Sequence, residues 1–181
     1  MTREELLTRL SAVFHQYGYD GATLARLSAA SGLGKGSLYH HFPGGKEEIG
    51  VAVLQAEGLR FHHLLAALQG SGDIKARLAL FAHRLRLSQA EQLQASTLDV
   101  YSMGDARARY GHDMRDSVLL LTDRLSVTLQ EAGLDATTAH ERAYTALALI
   151  EGMRLTCRCL GDWSRYDQLL DQLPGRLLTS A

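Results

Sequence analysis

Residues 23–46, TLARLSAASGLGKGSLYHHFPGGK, gather hydroxyl, phenol, imidazole and ammonium groups without a single carboxylate. Thr23, Lys35, Ser37, Tyr39, His40, His41 and Lys46 can donate hydrogen bonds or carry positive charge. Those groups suit the phosphates and base edges of duplex DNA, which present chiefly negative charge and acceptors. Two short helices around a glycine turn would position them. Thr23 has the hydroxyl of a good N-cap, and Leu24, Leu27 and Ala30 follow at three-residue spacing as an apolar stripe. Gly32 stands where helices commonly end in a left-handed residue.

A second helix is expected from about Gly34 to Phe42, which places the helix-turn-helix at 23–42. Its wheel puts Gly34, Leu38, His41 and Phe42 on one side, with Leu38 and Phe42 packing inward. Gly36, Tyr39 and His40 face the other way, flanked by Lys35 and Ser37. Pro43-Gly44-Gly45 breaks this helix, and Lys46 opens the next one, where it can reach a phosphate beside the helix N-terminal amides. A generic helical hairpin fits the same local pattern.

The N-terminal third resembles the TetR/AcrR family of transcriptional regulators. The resemblance is carried by Phe14, Tyr17-Gly18-Tyr19, Thr23, Gly32-Leu33, Ser37-Leu38-Tyr39-His40-His41-Phe42 and Lys46. The doubled Gly44-Gly45 departs from the family by lengthening the loop before the lysine. The resemblance implies that Thr23 contacts phosphate and that Lys35, Gly36 and Tyr39 face the groove. It implies that Ser37, His41 and Lys46 hold the DNA backbone. Gly36, lacking a side chain, permits close approach or a fit to a thymine methyl. Arg26 and His40 serve equally well as contacts or as solvated surface.

Overall charge gives no nucleic-acid signature: the formal net charge of the 181 residues is −1. The case rests on where charges sit. The start is charged and amphipathic, unlike a signal peptide, and no apolar run approaches the ~20 residues needed to span a bilayer. A cytoplasmic protein without membrane contact is expected. Cys157 and Cys159 lie two apart on a helix, pointing nearly opposite ways, so a mutual disulfide is not expected.

The whole chain reads as all-α, with an N-terminal three-helix helix-turn-helix domain at 1–63. A C-terminal ligand-binding and dimerisation domain follows at 64–181. A first helix over 2–17 carries Leu6, Leu10, Val13, Phe14 and Tyr17 at helical spacing. A long helix from Lys46 to about Gln69 continues without a linker, and Asp73 caps the next. Further helices are expected near 73–91, 94–101, 104–132, 135–160 and 163–178. Residues 143–153 are apolar on more than one face, so two partners must cover that helix. With the segment around Val118–Leu125 it is expected to form a four-helix bundle across a two-fold axis, with Ile150 at the interface. A buried central helix of a monomer is the alternative. Two-fold symmetry matches a palindromic operator with half-sites ~34–36 Å apart.

Nothing in the C-terminal domain identifies an effector. Candidate lining residues are the long or polar-tipped ones in apolar helices: His83, Tyr101, Met103, Tyr110, Met114, Arg154 and Trp163. Arg154 interrupts an apolar helix and either anchors a polar group or pairs with Glu151 at i,i+3. The histidines and cysteines show no metal-ligand spacing, and no nucleophile elbow or phosphate loop is present. No cofactor, metal or catalysis is therefore expected. The reading is a ligand-responsive DNA-binding regulator, a repressor released from its operator by a small molecule. The alternative is a DNA-independent helical protein that binds or transforms a small molecule.

Overall fold

The structure, a computed structural model, describes residues 1–91 and 95–179, and the elements among them are helical. In order they are α1 (Arg3–Gly21), α2 (Leu24–Ser31), α3 (Lys35–His41), α4 (Gly45–Leu65), a 3-10 turn (Ala66–Leu68), α5 (Ile74–Glu91), α6 (Thr97–Tyr101), α7 (Gly104–Glu131), α8 (Ala136–Leu160) and α9 (Ser164–Leu178). Position 94, with which the expected short helix began, lies outside the described residues. No helix among the described residues is long and apolar enough to cross a membrane.

The chain forms two compact units. The first holds residues 1–61 and the described part of 92–114; the second holds 62–91 and the described residues from 115 onward. The sequence suggests one cut after residue 63, whereas the first unit also gathers α6 and the beginning of α7.

In the first unit, α1 opens with a capping box. The Thr2 hydroxyl accepts the Glu5 N–H at 3.1 Å and Glu5 accepts the Thr2 N–H at 2.8 Å, which satisfies two orphan donors at once. Leu6, Leu10, Val13 and Phe14 are buried as their spacing predicts. The helix kinks at Gly18, whose φ of 68° would strain a side chain. Beyond the kink Tyr19, rather than the expected Tyr17, turns into the core and stacks on Phe14 with centroids 5.6 Å apart. Tyr17 is 42% exposed and carries the Arg26 guanidinium over its ring at 4.1 Å. A uniform helical period put Tyr17 on the buried stripe; the glycine resets the phase.

A polar centre lies inside the same unit. One oxygen of Glu57, on α4, accepts from Ser11 Oγ at 2.7 Å and His15 Nε2 at 2.8 Å. The other accepts from Thr97 Oγ1 at 2.8 Å, while His15 Nδ1 faces the Ala95 carbonyl at 2.7 Å. Both ring nitrogens of His15 therefore meet an oxygen acceptor. Burial alone would raise the Glu57 pKa, but the hydrogen bond and charge of His15, with Ser11 and Thr97, outweigh it and hold the carboxyl below its ordinary 4.5.

In the second unit Leu78, Phe81 and Leu85 of α5, Leu125 and Leu129 of α7, Ala143, Ala146, Leu147 and Ile150 of α8, and Leu169, Leu170 and Leu173 of α9 are buried. The Asp135 side chain caps α8 by accepting the Thr138 N–H at 3.0 Å, and Gly133 ends the preceding segment as expected.

Removing one partner of a buried charged pair strands the other. Glu57→Gln should therefore cost about 3–5 kcal/mol in urea denaturation; a loss under about 1 kcal/mol would show that the charge does not matter. Because the folded pKa is depressed, the contribution of Glu57 is complete above about pH 4.5 and disappears as pH falls through the lowered value. Wild-type stability should fall there more steeply than that of the Gln variant.

Candidate nucleic-acid interface

The structure builds the candidate surface from its buried side outward. Leu27 of α2, Leu38 of α3 and Phe42 at its C-cap are 0–2% exposed and share the core of α1 and α4. The Thr23 side chain caps α2 by accepting the Arg26 N–H at 3.3 Å. Gly32 closes α2 at φ 72°, and the Ser28 hydroxyl donates to the Leu33 carbonyl at 2.6 Å, fastening the turn. Ala30, expected on the apolar stripe, is exposed; a one-residue side chain at the end of an eight-residue helix has little core to reach.

With Leu38 and Phe42 inward, Lys35, Gly36, Ser37, Tyr39, His40 and His41 are all exposed. His41 was expected on the inner side of the helix, yet it sits at the rim with its ring edge-on to His40 at 6.0 Å. Tyr39, 46% exposed, packs beside Gly45, whose φ of 63° is what calls for a glycine there. Gly36 faces open space, with no atom within 4 Å of where its Cβ would stand.

Two cations are less free than the sequence suggests. The Lys46 ammonium donates to the Asp20 carbonyl at 3.3 Å and sits over the Tyr19 ring at 4.4 Å. Arg26 donates to the Gly21 carbonyl at 2.6 Å while covering Tyr17. Both brace the kinked end of α1 against α2 and α4. Lys35 and the two histidines remain as the exposed basic groups of α3.

The expected effector residues fall in different surroundings. Tyr101 and Tyr110 pack edge-on at 5.2 Å, Tyr110 also meets Tyr19 at 5.4 Å, and Met114 shares their core. Burial raises the pKa of both phenols above the ordinary tyrosine value. Met103 is 67% exposed. In the second unit His83 is exposed, Arg154 is buried, and Trp163 is half-buried beside Tyr166. None of these seven lines the open groove of about 510 Å³ between α7 and α8, which is bounded by Asp116, Leu119, Leu120, Thr122, Asp123, Ser126 and His140. Sequence gave no signal for that groove, since its polar residues look like ordinary solvated helix positions.

Residues 6–53, which contain this surface, match the profile of the bacterial regulatory proteins of the tetR family. This segment is similar to the DNA-binding region of TetR-family regulators. The AcnR repressor of Corynebacterium glutamicum is 34% identical over 94 residues, 49% of this chain and 50% of that protein. The chain spans about half or less of the length of the curated relatives it matches. At the level of fold, the TetR family regulator CifR, solved as a cysteine mutant with 26-bp operator DNA, superposes with a TM-score of 0.75. It is 22% identical, covering 97% of this chain and 96% of that one. FadR from Bacillus subtilis, solved with stearoyl-CoA, gives a TM-score of 0.69 at 16% identity over 98% of both chains. The fold of these regulators thus extends over nearly the whole chain, while the family profile matches residues 6–53.

A glycine inside a helix costs about 0.5–1 kcal/mol relative to alanine, and at Gly36 no intramolecular neighbour requires it. Gly36→Ala should therefore keep or slightly raise the melting temperature while weakening specific DNA binding at least about tenfold, the penalty of a sub-angstrom misfit at a close contact. Unchanged affinity in a gel-shift titration would move the close contact away from Gly36.

Proposed function

We propose that this chain is a ligand-responsive transcriptional regulator, a homodimer that represses by holding a palindromic operator until a small molecule releases it. The observation that carries this reading is the acid-free outer face of α3, anchored by Leu38 and Phe42 and presenting Lys35, Gly36, Ser37 and Tyr39 to solvent. Lys35, Ser37, His41 and Thr23 take phosphates, and so does Lys46 once it exchanges the Asp20 carbonyl for a phosphate oxygen. Lys35, Gly36 and Tyr39 discriminate bases, with His40 at the edge of that surface. Neutralising phosphates makes the affinity fall steeply with salt.

Dimerisation is supported by the apolar side chains that the second unit leaves exposed: Leu119 and Val127 on α7, and Tyr144, Leu149 and Leu155 on α8. Ile150, expected at the interface, is only 2% exposed within the single chain and belongs to its own core. Residues 143–153 of α8 are apolar on more than one face, and those open to a partner are the neighbours of Ile150.

FadR from Bacillus subtilis, which shares the fold, was solved with stearoyl-CoA, and that supports a small-molecule site in the C-terminal unit here. Helices α4 and α7 each contribute residues to both compact units. For an effector to release the operator it must bind the non-binding state more tightly, by about 5.5 kcal/mol for a switch from 1:99 to 99:1.

Selection of bound fragments from genomic DNA, followed by footprinting, tests the reading directly. A single palindromic site is the expected result, and binding without sequence preference would overturn it. Tyr39→Ala should abolish the footprint while leaving the sedimentation profile unchanged; a retained footprint would remove Tyr39 from recognition. Leu149→Glu should yield monomers that stay helical by circular dichroism, because it places a charge on an exposed apolar face rather than in the core. A fully dimeric Leu149→Glu protein would place the interface elsewhere.

A further inference from the structure

Arg154 and Tyr166 are buried polar groups of the second unit, each with an atom that lacks a close hydrogen-bond partner, as Arg77 Nε also does. Arg154 is 6% exposed and its Nε has no close hydrogen-bond partner; Tyr166 is 0% exposed and its hydroxyl has none either. Two other arginines of this unit, Arg77 and Arg86, have carboxylate partners. Arg77 pairs with Glu131 at 2.5 Å and donates to the Leu68 carbonyl. Arg86 grips Asp167 at 2.9 Å and Asp171 at 2.7 Å. Glu151 lies one turn before Arg154 on α8, yet the two make no ion pair among the described residues.

The two groups come from different helices and face each other: burial raises the Tyr166 pKa, Glu151 adds to that, and the charge and a long hydrogen bond of Arg154 oppose it. Desolvating a guanidinium without a counter-charge is unfavourable, and buried orphans of this kind need a reason. A guanidinium only donates, and a hydroxyl beside it can donate as well. The pair therefore matches a species with several acceptor oxygens and one negative charge, which a carboxylate supplies in fork geometry. Along the same face of α8, Ile150 and Cys157 are buried, and on α9 Leu169 and Leu170 follow Tyr166 inward. A carboxylate seated there would carry its apolar body among these side chains.

We propose that Arg154 and Tyr166 form an anion-binding site within the C-terminal unit, and that the effector is a small monocarboxylate with an apolar body. This deepens the reading of that unit as the effector module and rests on it. Arg154 supplies the charge and the orientation, while Tyr166 supplies a second donor.

The chain carries its own reporter. Trp163 is its single tryptophan, with its ring edge-on to Tyr166 at 5.9 Å. Wild-type full-length protein would be titrated with octanoate and benzoate, and with octanamide and benzamide as uncharged counterparts, following Trp163 emission. Saturable changes with a carboxylate and none with its amide are expected. Arg154→Met should weaken that binding roughly 10- to 100-fold, as the loss of charged hydrogen bonds implies, with a melting temperature equal to or above that of wild type. Tyr166→Phe should weaken it by less and stay folded.

No saturable response to either carboxylate would overturn the inference, as would equal binding by Arg154→Met. So would an Arg154→Met protein that melts well below wild type, since that assigns the guanidinium a structural role. Footprinting in the absence of any probe separates the two levels. An operator footprint without carboxylate binding sinks only the anion site. Carboxylate binding lost in Arg154→Met, without any footprint, upholds the site and sinks the regulator.

Discussion

One carboxylate organises the first unit. Glu57 gathers α1 through Ser11 and His15, and α6 through Thr97, around a side chain that α4 itself provides. Its directional bonds admit one register of α1 along α4, whereas apolar contacts alone tolerate small slides. That register matters because α1 is the floor on which the reading helix rests: Leu6, Leu10, Val13 and Phe14 share one core with Leu27, Leu38 and Phe42. A slip of α1 would tilt α3. The precision demanded of a surface that must fit a groove thus derives from a polar contact well inside the unit.

The modest net charge is compatible with DNA binding once the charges are placed. Acids are kept out of 23–46, and the carboxylates just beyond are occupied. Glu48 accepts the Gly44 N–H at 2.7 Å, and Glu47 pairs with Arg109 at 2.7 Å. Arg26 and Lys46 are tied to main-chain carbonyls. The Lys46 bond, at 3.3 Å and to a neutral acceptor, is weak enough that exchange for a phosphate oxygen favours the charged partner. A surface need not be strongly basic overall if its few cations stand where repulsion is absent.

The sequence made the reading unit largely legible because its signals are local. The cap at Thr23, the left-handed Gly32, and inward Leu38 and Phe42 are all decided within a few residues. What escaped depends on distance along the chain. Glu57 looks like any solvated helix acid until Ser11, His15 and Thr97 arrive from far away in sequence. Tyr101 and Tyr110 look like ligand-facing aromatics until Phe14 and Tyr19 complete their cluster. Tyr17 and Tyr19 exchanged roles through a single kink. At Ile150 the pattern put the side chain at an interface, whereas it lies in the core of its own unit; which residues of α8 face that core is set by α9, and no local rule contains that.

Two places where the chain breaks a local rule share a logic. Gly36 forgoes helix propensity although open space lies beyond it, and Arg154 forgoes a counter-charge although neighbouring arginines have one. In both cases the chain gives up stability for which no internal contact compensates. Such departures in an otherwise consistent sequence point to something outside the chain as the missing partner. For Gly36 the partner is a close-lying surface, because the lack of a side chain matters only to what approaches it. For Arg154 the proposed partner is an anion, because a negative charge offsets the cost of desolvating a guanidinium that has no carboxylate bound to it. If the coupled switch operates, the two sites are linked reciprocally: whatever free energy the anion gains in the non-binding state is what the operator loses. An effector that compensated Arg154 equally in both states would bind well and release nothing. The selectivity of the switch therefore lies in how differently the two states present Arg154, more than in the affinity of the site itself.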